Sequence, residues 1–207
     1  MKNKIKIAAL LILLTPLASQ ALIEARITYG GLGSKDFAAD ACGALCTSSN
    51  IPAIVPFIGT GADVIISLPL IPFGFGVRYE KIGISASSSN AELTASIERI
   101  AAILNYRIID TIIHFGPIAT IGLTTKTQMK IVESGVTRAN YDATAADSAT
   151  VGIEFGIKPL IVIPISIGAE AGYEYLKIKN AKNSVDSSTH DLDLSGGYLK
   201  VFLGLDF

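Results

Sequence analysis

Histidine and cysteine are scarce in this 207-residue chain, and past its amino terminus no long apolar run occurs. The two histidines, His114 and His190, and the two cysteines, Cys42 and Cys46, show none of the ligand spacings of structural zinc or calcium sites. No metal site and no cofactor is therefore expected. A spanning helix needs about 20 consecutive apolar residues, so helical membrane crossing is excluded as well. Neither sign of charge dominates, with 17 basic and 18 acidic residues, which leaves no basic face for nucleic acid. Gly30-Gly31-Leu32-Gly33 is glycine-rich, but no helix follows in the context a phosphate loop requires.

What is present begins with an export signal. Met1–Lys6 carries three lysines, Ile7–Leu14 is apolar, Pro16 breaks the run, and Ser19-Gln20-Ala21 offers small residues for cleavage after Ala21. Removing residues 1–21 leaves 14 basic against 18 acidic residues, a modest acidity. Half the chain is hydrophobic, mean hydropathy is +0.49, and 19 glycines argue against a helical bundle. A bilayer admits only helices or closed barrels, because every backbone polar group must find a partner there. An exported chain this apolar, without spanning helices, reads as a barrel.

Eight segments alternate in the strand period, near 22–33, 60–70, 72–86, 92–107, 110–125, 147–158, 160–178 and 189–207. Outer loops are expected near 34–59, 86–91, 126–146 and 179–188. Tight links fall at Pro69–Pro72, Arg107–Asp110 and Lys158–Leu160. Alternating long and short connections fit an up-and-down antiparallel transmembrane barrel over residues 22–207. One parity faces lipid: Ile23, Ala25, Ile27 and Tyr29 in the first strand, Phe73, Phe75, Val77 and Tyr79 in the third, and corresponding apolar sets elsewhere. Tyr29, Tyr79, Tyr173 and Tyr175 then gather at one interface and Phe73, Tyr106 and Phe207 at the other, as aromatic girdles do.

The opposite parity carries charge. Glu24, Arg26, Arg78, Glu80, Arg99, His114, Glu154, Glu170, Glu174 and Lys200 turn to the lumen as a polar network that fills it as a plug. A cation on the lipid face near mid-membrane would cost about 2–4 kcal/mol, so this parity is enforced. In the last strand, Leu199, Val201, Leu203, Leu205 and Phe207 share the lipid side. Cys42 and Cys46 are expected to pair as a disulfide in the oxidising compartment that export implies. Beside them, the apolar octet Ile51–Ile58 extends the second strand or folds over the barrel mouth, or else makes a contact. Pro117 reads as a bulge or kink.

Signal, alternating strands, tyrosine belts and terminal aromatic residue together resemble the small eight-stranded outer-membrane β-barrel proteins typified by OmpA's transmembrane domain, OmpX and OmpW. The resemblance covers the mature chain and is architectural; no motif selects a subfamily. It implies a bacterial outer-membrane location, a terminal insertion signal at Leu199, Val201, Leu203, Leu205 and Phe207, and outer-membrane lipid and assembly machinery as partners. It also implies a structural or surface-interaction role through the outer loops. Lipid-facing alanines such as Ala102, Ala119 and Ala169 allow a homo-oligomer.

Two alternatives stand beside that role, a narrow porin-like channel and an outer-leaflet lipid-modifying enzyme. The enzyme would need a nucleophile with a positioned base. His190, after Ser187, Ser188 and Thr189 and near Asp191 and Asp193, is the only placement at the outer rim, and a polar loop junction explains it as well. No catalytic residue is assigned.

Overall fold

The computed structural model describes residues 23–34, 55–68, 71–87, 91–144, 146–158 and 164–207. The export signal and the Cys42–Cys46 pair lie outside the described residues. Among the described residues eleven strands follow one another: β1 Ile23–Ser34, β2 Val55–Ser67, β3 Phe73–Ser87, β4 Ala91–Tyr106, β5 Ile109–Asp110 and β6 Ile113–Glu133. They continue with β7 Val136–Ala143, β8 Asp147–Ile157, β9 Ile165–Asn183, β10 Thr189–Asp193 and β11 Gly196–Asp206.

Eight of them close a ring in the order β1-β2-β3-β4-β6-β8-β9-β11, with β11 returning to β1 along eleven register pairs from Glu24↔Asp206 to Ser34↔Gly196. Every pairing is antiparallel. Closure removes the unpaired edges that hydrocarbon could not satisfy. The remaining short strands prolong the wall. Where β8 begins at Asp147, β7 takes its place between β6 and β9. Where β11 begins at Gly196, β10 continues along β9.

Strands β6 and β9 run past their expected ends at 125 and 178, to Glu133 and Asn183, while the segment expected at 189–207 divides into β10 and β11. Strand β6 has 21 residues and β9 has 19, about twice the 9–11 that cross a membrane. Most of the loop expected at 126–146 is strand, and the one expected at 179–188 is a short β9–β10 hairpin. In the first of these, Thr127, Met129 and Ile131 point inward while Lys126, Gln128 and Lys130 point out. At the hairpin tip, Ser134 (φ 52°) and Gly135 (φ 78°) both occupy the left-handed region, as a two-residue turn matched to strand twist requires. In the expected loop 34–59, β2 already runs from Val55, with Phe57 buried inside and Ile58 outside; this part of the octet extends the strand. Strands also close in on the loop expected at 86–91, with β3 reaching Ser87 and β4 starting at Ala91.

Pro117 is not the irregularity. Its register with β8 is unbroken, Pro117↔Ile153, and the residue faces outward, where a missing N–H is tolerated at the end of the β4 ladder. The bulge lies at Leu123: Ile100 opposes Thr124 while Ala101 opposes Gly122. One extra residue inverts parity, so the inward positions of β6 change from His114, Ile118 and Thr120 to Thr125, Thr127 and Met129. Strand β9 repeats the device at Asn180 (φ 54°), where inward Ile178 is followed by inward Ala181.

The longer strands reverse their amphipathicity along their length. In β3, Phe73, Phe75, Val77 and Tyr79 point out, but the next outward side chain is Lys81; inward, Arg78 and Glu80 give way to Ile82. Below this level the wall is apolar outside and charged inside. Above it Leu32, Phe57, Ile82, Ile97, Met129, Ile131, Tyr141, Leu176, Ile178 and Leu192 form an apolar core inside a polar wall. The reversal follows the solvent outside: hydrocarbon against the lower wall, water against the upper.

Candidate lumen network and outer rim

Alternation delivers the charged side chains of seven ring strands to one narrow space, and all ten residues read from sequence are buried there. Nearest the turn end, Arg26 and Arg107 hold Glu24 and Glu154 between them. Arg26 donates through Nε to Glu24 Oε1 at 2.7 Å and through Nη1 to Glu154 Oε2 at 2.8 Å. Arg107 donates to Glu24 and, at 3.2 Å, to Glu154 Oε1. Asn105 and Ser166 add donors to the same carboxylates at 2.9 and 3.2 Å. Lys158 lies 3.3 Å from both Asp110 and Asp206 at the lip.

One level up, Arg78 is clamped on two sides. Its Nε and Nη2 bind Asp63 at 2.9 and 2.8 Å, and its Nη1 and Nη2 bind Glu170 at 3.0 and 2.7 Å. Glu170 also accepts from the Tyr198 hydroxyl at 2.7 Å. A planar guanidinium suits such two-sided, bidentate binding, which an ammonium could not supply. Above it Arg99 pairs with Glu174 at 2.7 Å and with Glu80, and Lys200 pairs with Glu80. The apolar core begins here, since Tyr198 belongs to it while binding Glu170 of the Arg78 tier and carrying the Lys200 ammonium 4.7 Å from its ring centroid.

Sequence reasoning misses Asp63, Asn105, Arg107 and Asp110. Asp63 was legible: it is the one charge in Gly61-Ala62-Asp63-Val64-Ile65, on the Phe57–Ile65 parity. Arg107 and Asp110 read as a turn because only the folded hairpin shows their side chains returning inward. His114 departs from its expected role. It is buried in the lumen, but neither ring nitrogen has a hydrogen-bond partner among the described residues. The ring instead stacks on Phe202, with centroids 5.8 Å apart, in space left by Gly156. Phe202 also carries the Arg26 guanidinium 4.3 Å from its centroid.

At the outer rim His190 Nε2 lies 3.0 Å from Ser188 Oγ. That hydroxyl, however, donates its single proton to Asp186 at 2.6 Å, and the Ser188 amide donates to the same carboxylate at 2.9 Å. His190 is left to donate to the oxygen, the reverse of what a base activating a nucleophile must do. The arrangement is that of a capped turn. Outside the wall, Lys177 and Lys179 hydrogen-bond Asp193 and Asp147, which holds both ammonium groups above the usual lysine range.

The terminal strand places Leu199, Val201, Leu203, Leu205 and Phe207 on the outer face, and the backbones of Phe207 and Ile23 exchange hydrogen bonds at 2.7 and 3.2 Å. Outward Tyr29, Tyr79, Tyr173 and Tyr175 lie toward the polar wall, with the Tyr79 hydroxyl 2.8 Å from Glu98. Outward Phe73 and Tyr106 meet at the other end, 4.8 Å between centroids.

No protein-family model and no curated protein sequence matches the chain. Solved structures do. The attachment invasion locus protein Ail of Yersinia pestis is 14% identical, with 91% of this chain and 99% of that one covered and a TM-score of 0.56. A major outer membrane protein of Thermus thermophilus is 7% identical, with 89% and 99% covered and a TM-score of 0.54. Identities this low speak to the fold. The closed eight-strand ring, apolar outside and charged inside, defines the class: a small all-β transmembrane barrel of the bacterial outer-membrane type.

Proposed function

We propose that the protein is a closed, non-conducting outer-membrane barrel that works through its outer extension, in a structural or surface-interaction role. The observation that carries this is the succession along the lumen. Ion pairs fill the membrane-level interior, and an apolar core stands between them and the outside. An ion crossing from outside would have to enter that core unhydrated, at a prohibitive cost in free energy. Among the described residues, the outer wall is then free to present a rigid polar surface built on strands.

Purified protein in planar bilayers should show no steady conductance; a large, stable open state would overturn the closed reading in favour of a porin-like channel. The lipid-modifying alternative has against it the hydrogen-bond polarity at Ser188 and His190. Lipid A mass spectra from cells with and without the protein should be identical.

A further inference from the structure

The turns at the membrane end of the ring are apolar on their outer side. In the β4–β6 turn Ile108, Ile109 and Ile112 are 61, 48 and 57% exposed, and in the β2–β3 turn Leu68 and Ile71 are 39 and 46% exposed. The two turns are joined, because the Arg107 amide donates to the Pro72 carbonyl at 2.8 Å. The five side chains therefore form one surface, continuous with outward Phe73 and Tyr106.

Turns that meet water ordinarily expose charge and unpaired backbone. These do neither. The one charged residue between Ile108 and Ile113, Asp110, points inward to Arg107 and Lys158, each 3.3 Å away. The amides of Ile71, Ile108 and Thr111 donate to the carbonyls of Leu68, Phe115 and Ile113, and the amide of Lys158, just past β8, donates to the Ile112 carbonyl. Pro72 has no amide proton to satisfy. Internal pairing of this kind is what a hydrocarbon environment demands and water does not.

Height gives a second argument. At a rise of about 3.4 Å per residue and a tilt of about 40°, outward Phe73–Tyr79 spans roughly 15 Å of membrane normal, as does Ile100–Tyr106. Barrel belts are about 25 Å tall. Ile71 and Ile108 stand just beyond the ends of β3 and β4 and add apolar surface to both belts on this side. We propose that the β2–β3 and β4–β6 turns lie within the acyl-chain edge of the inner leaflet instead of in periplasmic water. The lipid-contacting surface then runs to the end of the barrel on this side. The inference rests on the membrane-barrel reading, and lipid is the occupant because the surface continues the lipid-facing wall without a charged break.

The chain contains no tryptophan, so single tryptophans report position without background. Phe75→Trp, Ile108→Trp and Ile112→Trp would be refolded separately into phosphatidylcholine vesicles, with folding checked by heat-modifiable gel mobility. The vesicles would carry bromine either near the methyl end or near the glycerol end of the acyl chains. Tryptophan at 75 should lose emission to the deep bromines. At 108 and 112 it should lose emission to the shallow bromines, emit to the blue of tryptophan in water, and resist acrylamide. If 75 is quenched by bromine while 108 and 112 are quenched only by acrylamide, the turns are in water and the inference is overturned. If 75 also escapes bromine, the membrane-barrel reading itself fails. Should Ile108→Trp not fold, Ile112→Trp tests the same surface.

Discussion

Arg78 concentrates the chemistry of the lumen in one side chain. It is fully buried, and its guanidinium is held by Asp63 on the neighbouring strand and by Glu170 across the barrel. Arg78→Ala removes the cation and leaves both carboxylates in the wall, which typically costs about 3–5 kcal/mol for a buried pair. The urea midpoint of refolded protein should fall accordingly. Arg78→Lys should recover only part of the loss, since one ammonium cannot satisfy two carboxylates edge-on. Equal stability of all three proteins would show that water, and not Arg78, neutralises this tier. In the upper interior the governing term is packing. Phe57 is wholly buried in the apolar core, so Phe57→Ala should cost about 3–5 kcal/mol by the same unfolding measurement. A negligible loss would mean that the upper core is not packed as described.

Elements carry the next level of consequence, and β6 is the instructive one. Its bulge at Leu123 swaps the facing of every later residue, so that Met129 and Ile131 enter the upper core and Lys126 and Lys130 leave it. Deleting Leu123 should remove the bulge yet leave Thr125, Thr127 and Met129 facing inward and Lys126 and Lys130 outward, so the outer extension should still fold. Amide exchange of residues 125–143 should stay protected; lost protection would mean that the bulge is not the extra residue at Leu123. The turn that reverses β6 into β7 depends on Gly135 at φ 78°, with open space around it. Gly135→Ala should therefore cost about 1–2 kcal/mol from backbone conformation alone, seen as faster exchange within β6–β7. An unchanged hairpin would mean that the turn relaxes to another type. The strand between 126 and 133 was open to sequence reading, because its alternation is plain. What hid it was the parity break at Leu123: two half-strands of opposite phase read as a strand and a polar loop.

For the whole molecule, ring closure makes the ends of the chain interdependent. Strand β11 lies between β1 and β9, and Phe207 exchanges backbone hydrogen bonds with Ile23. We propose that the outward set Leu199, Val201, Leu203, Leu205 and Phe207 is also what assembly recognises. Deleting Phe207 should lower the amount of heat-modifiable, membrane-inserted protein while export continues, as fractionation of cells would show. Insertion as efficient as that of the full chain would remove the terminal residue from any such role.

The sequence by itself determined the eight-strand barrel, the lipid-facing and lumen-facing sets within the membrane, and the charged character of the interior there. Each follows from a period of two read against a known solvent, and that information is local. Tertiary structure alone decided which charges meet. Arg78 joins Glu170 and Arg26 joins Glu154 across the lumen, and Arg107 turns back into it, because closure sets the distances between strands far apart in sequence. It also decided that the wall continues past the membrane with its amphipathicity reversed, since a side chain's facing fits only the solvent it actually meets, and the register of bulged strands settles that facing.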